Sequence, residues 1–192
     1  MIDHISAIVV QSLEVKRRYF AEHAGDLVRA AEIIAASYRA GSKVLLCGNG
    51  GSSTDAQHIA GELVNQFSRA KRRALPALAL STDGGVITSI ANDTGFENIF
   101  ARQVEAFGAP NDVLIAITTS GTSANIIAAV ERARAQELKV IGLLGRDGGT
   151  VAPLCDLALI VESPDTQRIQ ETHNLISHIL CELVERVLFK ED

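Results

Sequence analysis

The stretch KVLLCGNGGSSTDAQHIAGELV, residues 43–64, joins an apolar run, a glycine-rich turn and a helical pattern. The apolar residues of 43–48 follow one another, which is typical of a strand buried on both faces of a parallel sheet. After the turn, residues 53–66 change to the spacing of an amphipathic helix. The stretch therefore predicts one strand–turn–helix unit of an α/β fold.

Four further apolar runs follow along the chain, each ending in turn residues and separated from the next by a helical pattern. They predict strands over 75–81, 112–119, 139–145 and 156–161, and helices over 84–107 in two pieces, 122–136 and 167–189. Strands and helices that alternate in this order predict a doubly wound five-stranded parallel sheet, a flavodoxin-like α/β architecture.

The first forty residues have helical character before the first strand begins. Gly41 follows this pattern as a helix-ending residue, and the apolar side chains that recur at helix spacing are Leu27, Ala30, Ala31, Ile34, Ala35 and Tyr38. We predict an N-terminal helical hairpin over 1–40 and an α/β sandwich over 41–192, together forming a single domain over 1–192.

Charge and cysteine usage exclude several classes of protein. Lys plus Arg number 18 and Asp plus Glu number 23, so a formal net charge of −5 gives no general attraction to nucleic acid or to an anionic membrane. The basic run over 69–73 is interpreted as a solvated connection. Cys47, Cys155 and Cys181 form no CxxC pattern, which argues against a disulfide framework and a thiolate zinc site. Charged residues interrupt the apolar ones in 1–20, which excludes a signal peptide there, and we expect a cytoplasmic protein.

A hydroxyl-rich loop, TTSGTS over 118–123, follows the third predicted strand and has five hydroxyl side chains in six residues. The helix that begins at Ala124 adds unpaired N–H groups and a partial positive charge. These features favour a phosphate ester, with helix capping by Ser120 or Thr122 as the alternative. Because the P-loop lysine and the GxGxxG fingerprint are both lacking, a small phosphorylated metabolite is favoured over a nucleotide.

Two further groups of polar residues are candidates for chemistry. His58 and Glu62 lie four residues apart, which places both on one face of the helix after the first strand. In RIQETHNLISH, residues 168–178, the side chains of Gln170, His173 and His178 interrupt an otherwise apolar terminal helix. Buried polar groups need partners, so an active-site wall is one explanation, and surface or structural roles are the alternative.

Six motifs occur in order between about residues 41 and 188: CGNGGSSTDAQHIAGEL (47–63), LPALALSTD (75–83), IANDTGFENIF (90–100), TTSGTSANI (118–126), GRDGG (145–149) and RIQETHNLISHIL (168–180). Together they resemble the phosphoheptose isomerase family of sugar isomerase (SIS) domains. The resemblance implies conversion of sedoheptulose 7-phosphate to D-glycero-D-manno-heptose 7-phosphate by enediol proton transfer, in bacterial lipopolysaccharide heptose biosynthesis. It also implies one zinc ion per subunit and a homotetramer with active sites at subunit interfaces.

The resemblance assigns roles residue by residue. Glu62 and His178 would be the catalytic pair, and the zinc ligands would be His58, Glu62, Gln170 and His178. Substrate would be bound by Asn49, Gly50, Gly51, Ser52, Glu62, Asn92, Asp93, Thr118, Thr119, Ser120, Ser123 and Gln170. One position departs from the family, because Gln66 stands where relatives commonly have an arginine, and this bears on substrate preference.

Several alternatives stay open at this point. The superfamily contains non-catalytic relatives, among them a tetrameric regulator that binds the replication initiator protein, although the retained Glu62 and His178 favour an enzyme. An isomerase of another sugar phosphate is a second alternative. On a continuous helix Gln170 and His178 would lie about 12 Å apart along the axis. Either the helix begins after Gln170, or the two reach a given ion from different subunits. A metal-free site with His178 as a core histidine is the alternative to zinc.

Overall fold

A computed structural model describes residues 1–189, and its centre is a parallel sheet of five strands. The strands are β1 Val44–Gly48, β2 Ala77–Ala79, β3 Val113–Thr118, β4 Lys139–Gly145 and β5 Leu157–Val161. Their spatial order is β2-β1-β3-β4-β5, and every neighbouring pair is parallel. This is the flavodoxin-like order of doubly wound folds, so the predicted architecture is confirmed.

Helices cover both faces of the sheet. They are α1 Ile2–Arg39, α2 Gly51–Val64, α3 Gly84–Thr94, α4 Ala101–Phe107, α5 Ala124–Ala135 and α6 Thr166–Leu188, with short 3₁₀ turns at Phe96–Asn98 and Ala152–Leu154. One hydrophobic core packs the sheet against α1, α2 and α6, and the other packs it against α3, α4 and α5. Each strand therefore has apolar side chains on both faces, which explains the uninterrupted apolar runs of the sequence.

The N-terminal region is one helix of 38 residues, so the predicted helical hairpin over 1–40 is wrong. A hairpin needs a turn, and Gly25 is the only glycine or proline within the segment. A single glycine costs a helix only about 1 kcal/mol relative to alanine, and α1 packs along α6 and β5 in its second half. Packing therefore keeps the helix continuous through Gly25.

Three further features of the described residues bear on the sequence analysis. The α/β portion follows α1 directly, and the last three residues of the predicted domain over 1–192 lie outside the described residues. Cys47, Cys155 and Cys181 are free thiols. Among the helices of residues 1–189, none combines the length and the apolar character that a membrane span requires.

The carboxyl ends of β1 and β3 meet at the switch point of the sheet. Gly48 of β1 pairs with Ile117 of β3, so the loops that follow these strands lie side by side. Crevices of this kind hold the ligands of open α/β sheets. The fold thus brings the glycine-rich and hydroxyl-rich loops of the sequence to one place.

Candidate active site

A reciprocal pair of amides joins the two loops at the switch point. Asn49 Nδ2 donates to Asn125 Oδ1 at 2.9 Å, and Asn125 Nδ2 donates to Asn49 Oδ1 at 2.8 Å. Asn125 lies in the first turn of α5 and is 3% exposed. Because each amide satisfies the other, the pair fixes the glycine-rich loop against the start of α5.

The glycine-rich loop turns from β1 into α2 over very few residues. Gly50 precedes α2 with φ 54, a conformation that glycine adopts without strain. Ser52 is buried in the first turn of α2, and its N–H donates to Asn49 O at 3.0 Å. A Cβ atom at Gly51 would collide with Nε2 of Gln170. The loop therefore places Gln170 of α6 beside four residues that the family resemblance assigns to substrate.

The hydroxyl side chains of 118–123 converge on one another. Thr118 Oγ1 lies 3.4 Å from Ser120 Oγ and 3.4 Å from Ser123 Oγ, and the Thr122 N–H donates to Ser120 Oγ at 3.3 Å. Ser123 precedes α5, and within the described chain its side chain makes no capping hydrogen bond. A side-chain cap from Ser123 therefore does not explain the hydroxyl cluster, and phosphate binding by this loop stays a prediction.

The backbone of the loop after β4 packs against the backbone of the hydroxyl-rich loop. Gly121 has φ 67, and a Cβ atom on it would collide with the carbonyl oxygen of Gly148. Gly148 and Gly149 also have positive φ, and the Val151 N–H donates to Gly121 O at 3.0 Å. The GRDGG motif over 145–149 therefore serves close backbone packing against the hydroxyl-rich loop.

An open cleft of about 930 Å³ lies beside Ser120 and Thr122. Its other walls come from α1 and from the loops after β4 and β5, with Arg18, Arg146, Asp147, Glu162, Ser163 and Pro164. The two arginines of the lining are balanced by two carboxylates, Asp147 and Glu162, so the formal charges of the cleft cancel. The lining does not include the histidines of α2 and α6, so the cleft is separate from the candidate acid–base groups.

Helices α2 and α6 run side by side in the same direction. Gln170 reaches the start of α2 at Gly51, and His178 meets His58 in its middle. Glu185 contacts the chain just beyond the end of α2, at Phe67. Because these contacts advance together along both helices, polar residues far apart in sequence form one line between α2 and α6.

Three side chains meet in the middle of this line. His58 Nε2 lies 3.1 Å from Glu62 Oε1, and His178 Nε2 lies 3.5 Å from His58 Nε2. One ligand atom from each residue lies within 4.8 Å of the other two. His178 is partly exposed, so it is not a core histidine. The structure therefore brings the predicted catalytic pair together with His58.

The donor set of this cluster suits a divalent cation. Zinc–ligand bonds of about 2 Å place the ligand atoms of a tetrahedral site roughly 3.3 Å apart, and the two measured separations are 3.1 Å and 3.5 Å. Three protein ligands beside an open position are typical of catalytic zinc.

Gln170 lies apart from this cluster within one chain. Helix α6 begins at Thr166, so the alternative in which the helix begins after Gln170 is wrong. Gln170 and His178 are therefore about 12 Å apart along the α6 axis, and Gln170 packs at Gly51 instead. Ligation of one ion by both residues needs a second subunit.

Asn92 and Asp93 lie at the end of α3, away from the other candidates. Asn92 Nδ2 donates to Asp93 Oδ1 at 2.8 Å, and both side chains are exposed. Within residues 1–189 no hydrogen bond joins either side chain to the glycine-rich loop, the hydroxyl-rich loop or the histidine cluster. α3 has no buried residue, so these two groups face solvent in the single chain.

His173 is a structural residue, and the active-site-wall explanation is wrong for it. Its side chain is 0% exposed, and Nε2 donates to Leu144 O at 3.0 Å. Burial lowers the pKa of His173 to about 4, against the opposing effect of that hydrogen bond. The imidazole is therefore neutral at physiological pH.

Gln66, at the position where the family commonly has arginine, accepts a hydrogen bond from the Lys71 N–H at 3.2 Å.

Sequence reasoning missed four residues that support the site: Phe67, Arg72, Asn125 and Glu185. Arg72 forms a buried ion pair with Glu185, so the interpretation of 69–73 as a wholly solvated connection is wrong. Two signals could have pointed to these residues. Asn125 immediately follows the hydroxyl-rich loop, and Glu185 is an acid among the apolar residues of the terminal helix.

Comparison with known proteins extends the likeness over almost the whole chain. A sequence model of the SIS domain family matches residues 9–145. A phosphoheptose isomerase of Roseiflexus sp. (strain RS-1) is 50% identical over 191 residues, which are 100% of this chain and 94% of that protein. The solved phosphoheptose isomerase of Francisella tularensis superposes with a TM-score of 0.93 at 40% identity, over 96% of this chain and 98% of that one. The Neisseria gonorrhoeae phosphoheptose isomerase gives 0.90 at 40% identity, over 95% and 97%.

These matches cover the segments of the chain that carry the candidate site. They span both loops of the switch point and the two helices that hold His58, Glu62 and His178, since little of the chain lies outside them. From its sequence, its sheet order and its helices, the chain belongs to the phosphoheptose isomerase family of SIS domain proteins.

Proposed function

We propose that the chain is an aldose–ketose isomerase that converts sedoheptulose 7-phosphate to D-glycero-D-manno-heptose 7-phosphate. The observation that carries this proposal is the meeting of Glu62 with His58 and His178 between α2 and α6. The name of a relative that is 50% identical over the full chain supports the choice of substrate. A regulator that only binds another protein would have no need of this cluster.

Glu62 and His178 are the proposed acid–base pair. The Glu62 carboxylate removes a proton from C1 of the ketose while His178 gives a proton to the C2 oxygen, which produces a neutral enediol. Glu62 then returns its proton to C2, and His178 takes the proton of the C1 hydroxyl, which leaves the aldehyde of the aldose. Both side chains end in their starting protonation states. Positioned groups of this kind each contribute about 10² to 10⁴-fold to the rate.

The hydroxyl-rich loop is the proposed binding site of the 7-phosphate. The proposed phosphate ligands are the hydroxyl groups of Thr118, Thr119, Ser120 and Ser123 and the N–H groups at the start of α5. The proposed ligands of the sugar hydroxyls are Asn49, Gly50, Gly51, Ser52, Asn92, Asp93 and Gln170. Phosphate binding far from C1 and C2 orients the reacting end of the sugar.

Zinc is the proposed metal, one ion per subunit, held by one ligand atom each of His58, Glu62 and His178, with Gln170 of a second subunit as a further ligand. The second carboxylate oxygen of Glu62 and Nδ1 of His178 are then left for proton transfer. When bound, the ion supplies Lewis-acid polarisation of the substrate oxygens. The separations between the ligand atoms support this assignment. Elemental analysis of protein purified with zinc, repeated on His58→Ala, tests it, because loss of the first ligand should remove the metal.

A homotetramer is the proposed assembly, with active sites at subunit interfaces. Apolar side chains near the start of α1 are largely exposed in the single chain, from Ile2 at 79% to Leu13 at 61%. α3 contains no buried residue although Val86, Ile87 and Ile90 are apolar. Neighbouring subunits would cover both surfaces and would bring Asn92 and Asp93 towards an active site.

We further infer a cytoplasmic enzyme of lipopolysaccharide heptose biosynthesis. The test of the reaction itself is an assay of purified protein with sedoheptulose 7-phosphate, beside pentose and hexose phosphates. The expected outcome is a kcat/KM for the heptose phosphate that exceeds those for the shorter sugars. A higher kcat/KM for a shorter sugar phosphate would identify that sugar as the substrate instead of sedoheptulose 7-phosphate. No turnover of any sugar phosphate would favour the non-catalytic regulator.

A further inference from the structure

A buried carboxylate lies about two turns beyond His178 on α6. Glu185 is 0% exposed, and its Oε1 lies 2.5 Å from Arg72 Nε. The same carboxylate accepts the N–H groups of Phe67, Ser68 and Arg69, each at 2.9 Å, and the Ser68 hydroxyl at 2.8 Å. Burial raises the pKa of Glu185, but Arg72 and these donors outweigh it and lower the pKa to about 2. The carboxylate is therefore charged at neutral pH.

Arg72 connects this carboxylate to the backbone of Glu62. Its Nη2 donates to Glu62 O at 2.6 Å, while its Nε faces Glu185. Glu62 lies near the end of α2, where backbone carbonyls have no partner within the helix. One guanidinium thus joins α6 to the turn of α2 that presents the Glu62 side chain.

Phe67 connects the same carboxylate to His178. The Phe67 N–H is held by Glu185, and the Phe67 ring stacks on the His178 ring with centroids 5.5 Å apart and an interplanar angle of 25°. Glu185 and His178 are seven residues apart, so they lie within about 20° of one another around α6. A displacement of Glu185 would therefore move both Glu62, through Arg72, and His178, through Phe67.

We propose that Glu185 and Arg72 are positioning residues that set the distance between Glu62 and His178. The inference rests on the proposed function, because it takes those two side chains as the acid–base pair. A buried ion pair adds little stability compared with apolar residues of similar volume. Its fixed, hydrogen-bonded geometry on two helices is what an apolar pair could not supply.

A second ion pair with a buried carboxylate provides a matched control, although its lysine is partly exposed. Asp112 is 1% exposed in its side chain, and Oδ2 lies 2.5 Å from Lys43 Nζ. It also accepts the N–H groups of Lys43 and Ala109, each at 2.9 Å. This pair lies beside Val113, at the amino ends of β1 and β3, on the opposite edge of the sheet from the two loops.

The experiment compares Glu185→Gln with Asp112→Asn in the full chain. Both variants should unfold at a lower temperature than the wild type. Glu185→Gln should lower kcat about 10- to 100-fold, since misplacement by about 1 Å costs that much. KM should change little, because the hydroxyl-rich loop is not in contact with Glu185. Asp112→Asn should leave both kinetic constants near their wild-type values.

A second measurement is independent of activity and of metal. In metal-free protein with ¹⁵N-labelled histidine, Glu185→Gln should shift the ring signals of His178 and His58, with His4 at the exposed start of α1 as the reference. Asp112→Asn should leave them in place. If Glu185→Gln does not fold, Arg72→Lys replaces it, because lysine keeps the charge but cannot bind Glu185 and Glu62 O in the same way.

Either variant overturns the inference if its histidine signals and its kcat match those of Asp112→Asn. If the wild type turns over no sugar phosphate, the proposed function fails, and the histidine spectra alone decide whether Glu185 and Arg72 position the cluster.

Discussion

The Glu62 carboxylate contacts His58 on α2, and its charge acts on the Cys181 thiol of the neighbouring helix α6. The pKa of Cys181 is raised to about 12 by burial and by the negative charges of Glu62 and Glu185. The thiol is therefore neutral at physiological pH and cannot act as a competing base. Glu62 therefore remains the proposed base of the cluster.

Replacing Glu62 with glutamine tests this role directly. Glu62→Gln keeps the size and the hydrogen bonding of the side chain but removes the base, so turnover should fall about 100-fold or more. Steady-state kinetics, with circular dichroism to verify the fold, is the measurement. Glu182→Gln is the matched control, because Glu182 forms an ion pair with Arg186 on the surface of α6. Near-normal turnover of Glu62→Gln would remove this residue from the mechanism.

His173 makes stability depend on pH in a predictable direction. Its pKa is about 4 in the folded chain and 6.5 in the reference state, so the unfolded chain binds more protons between these values. Stability is therefore fully present above pH 6.5 and is lost as pH falls towards 4, by on the order of 3 kcal/mol.

The variant His173→Gln should remove most of that pH dependence. Glutamine keeps an N–H donor for Leu144 O but does not titrate. The measurement is the free energy of unfolding in urea at pH 7 and at pH 4.5 for both proteins. An equal loss of stability in the wild type and the variant would show that other groups cause the acid sensitivity. Glu185 does not interfere, since its stabilisation is lost only as pH falls from about 4.5 towards its folded pKa of about 2.

For contacts between individual residues, the sequence predicts those within one helix and misses those between distant segments. His58 and Glu62 follow from their spacing, because four residues make about one helical turn. Nothing in the order of residues connects Glu185 to Arg72 or Asn49 to Asn125. Those contacts exist because α2 and α6 pack side by side and because β1 pairs with β3.

Among the elements, β2 shows how tertiary pairing sets the length of a strand. The apolar pattern predicts 75–81, whereas the strand is Ala77–Ala79, which pairs with Val44, Leu45 and Leu46 of β1. Pro76 has no N–H for the ladder, and β2 is an edge strand. The hydropathy pattern therefore locates this strand correctly, but it cannot show how many of its residues pair with β1.

The hydroxyl-rich loop should bind phosphate as a unit. The double variant Ser120→Ala, Ser123→Ala removes two of the hydroxyls that surround Thr118, so it should weaken binding of the sugar phosphate. Calorimetry with sedoheptulose 7-phosphate is the measurement. Ser42→Ala is the control, because Ser42 precedes β1 at the end of the strand opposite the loop. Equal affinity in all three proteins would leave this loop without a role in phosphate binding.

For the whole molecule, exposed apolar surface is the feature that a single chain does not explain. The first turns of α1 extend past the core, whose buried residues on this helix begin at Tyr19. The sequence shows the helical pattern of this segment, but it cannot show that the turn of a hairpin is missing. A hairpin would have covered the apolar residues internally, whereas a continuous helix leaves them exposed in the single chain.

Light scattering should therefore give a particle of four chains rather than one of 20.5 kDa. Val10→Lys combined with Leu13→Lys should shift the mass towards smaller species, because a charge in an apolar interface is costly to bury. Arg17→Lys on the same helix keeps the charge and serves as the control. A wild type that stays monomeric at all concentrations would contradict the proposed assembly.

The three cysteines also determine how the molecule can be labelled. Burial raises the pKa of Cys47 to about 12 and that of Cys155 to about 11, and Cys181 is similarly protonated. Thiolates are the reactive form, so maleimide reagents at neutral pH should leave all three untouched. A cysteine introduced at exposed Val28 would then be the single point of attachment for a dye or a spin label. Distances between copies become measurable without first removing a native residue from the core.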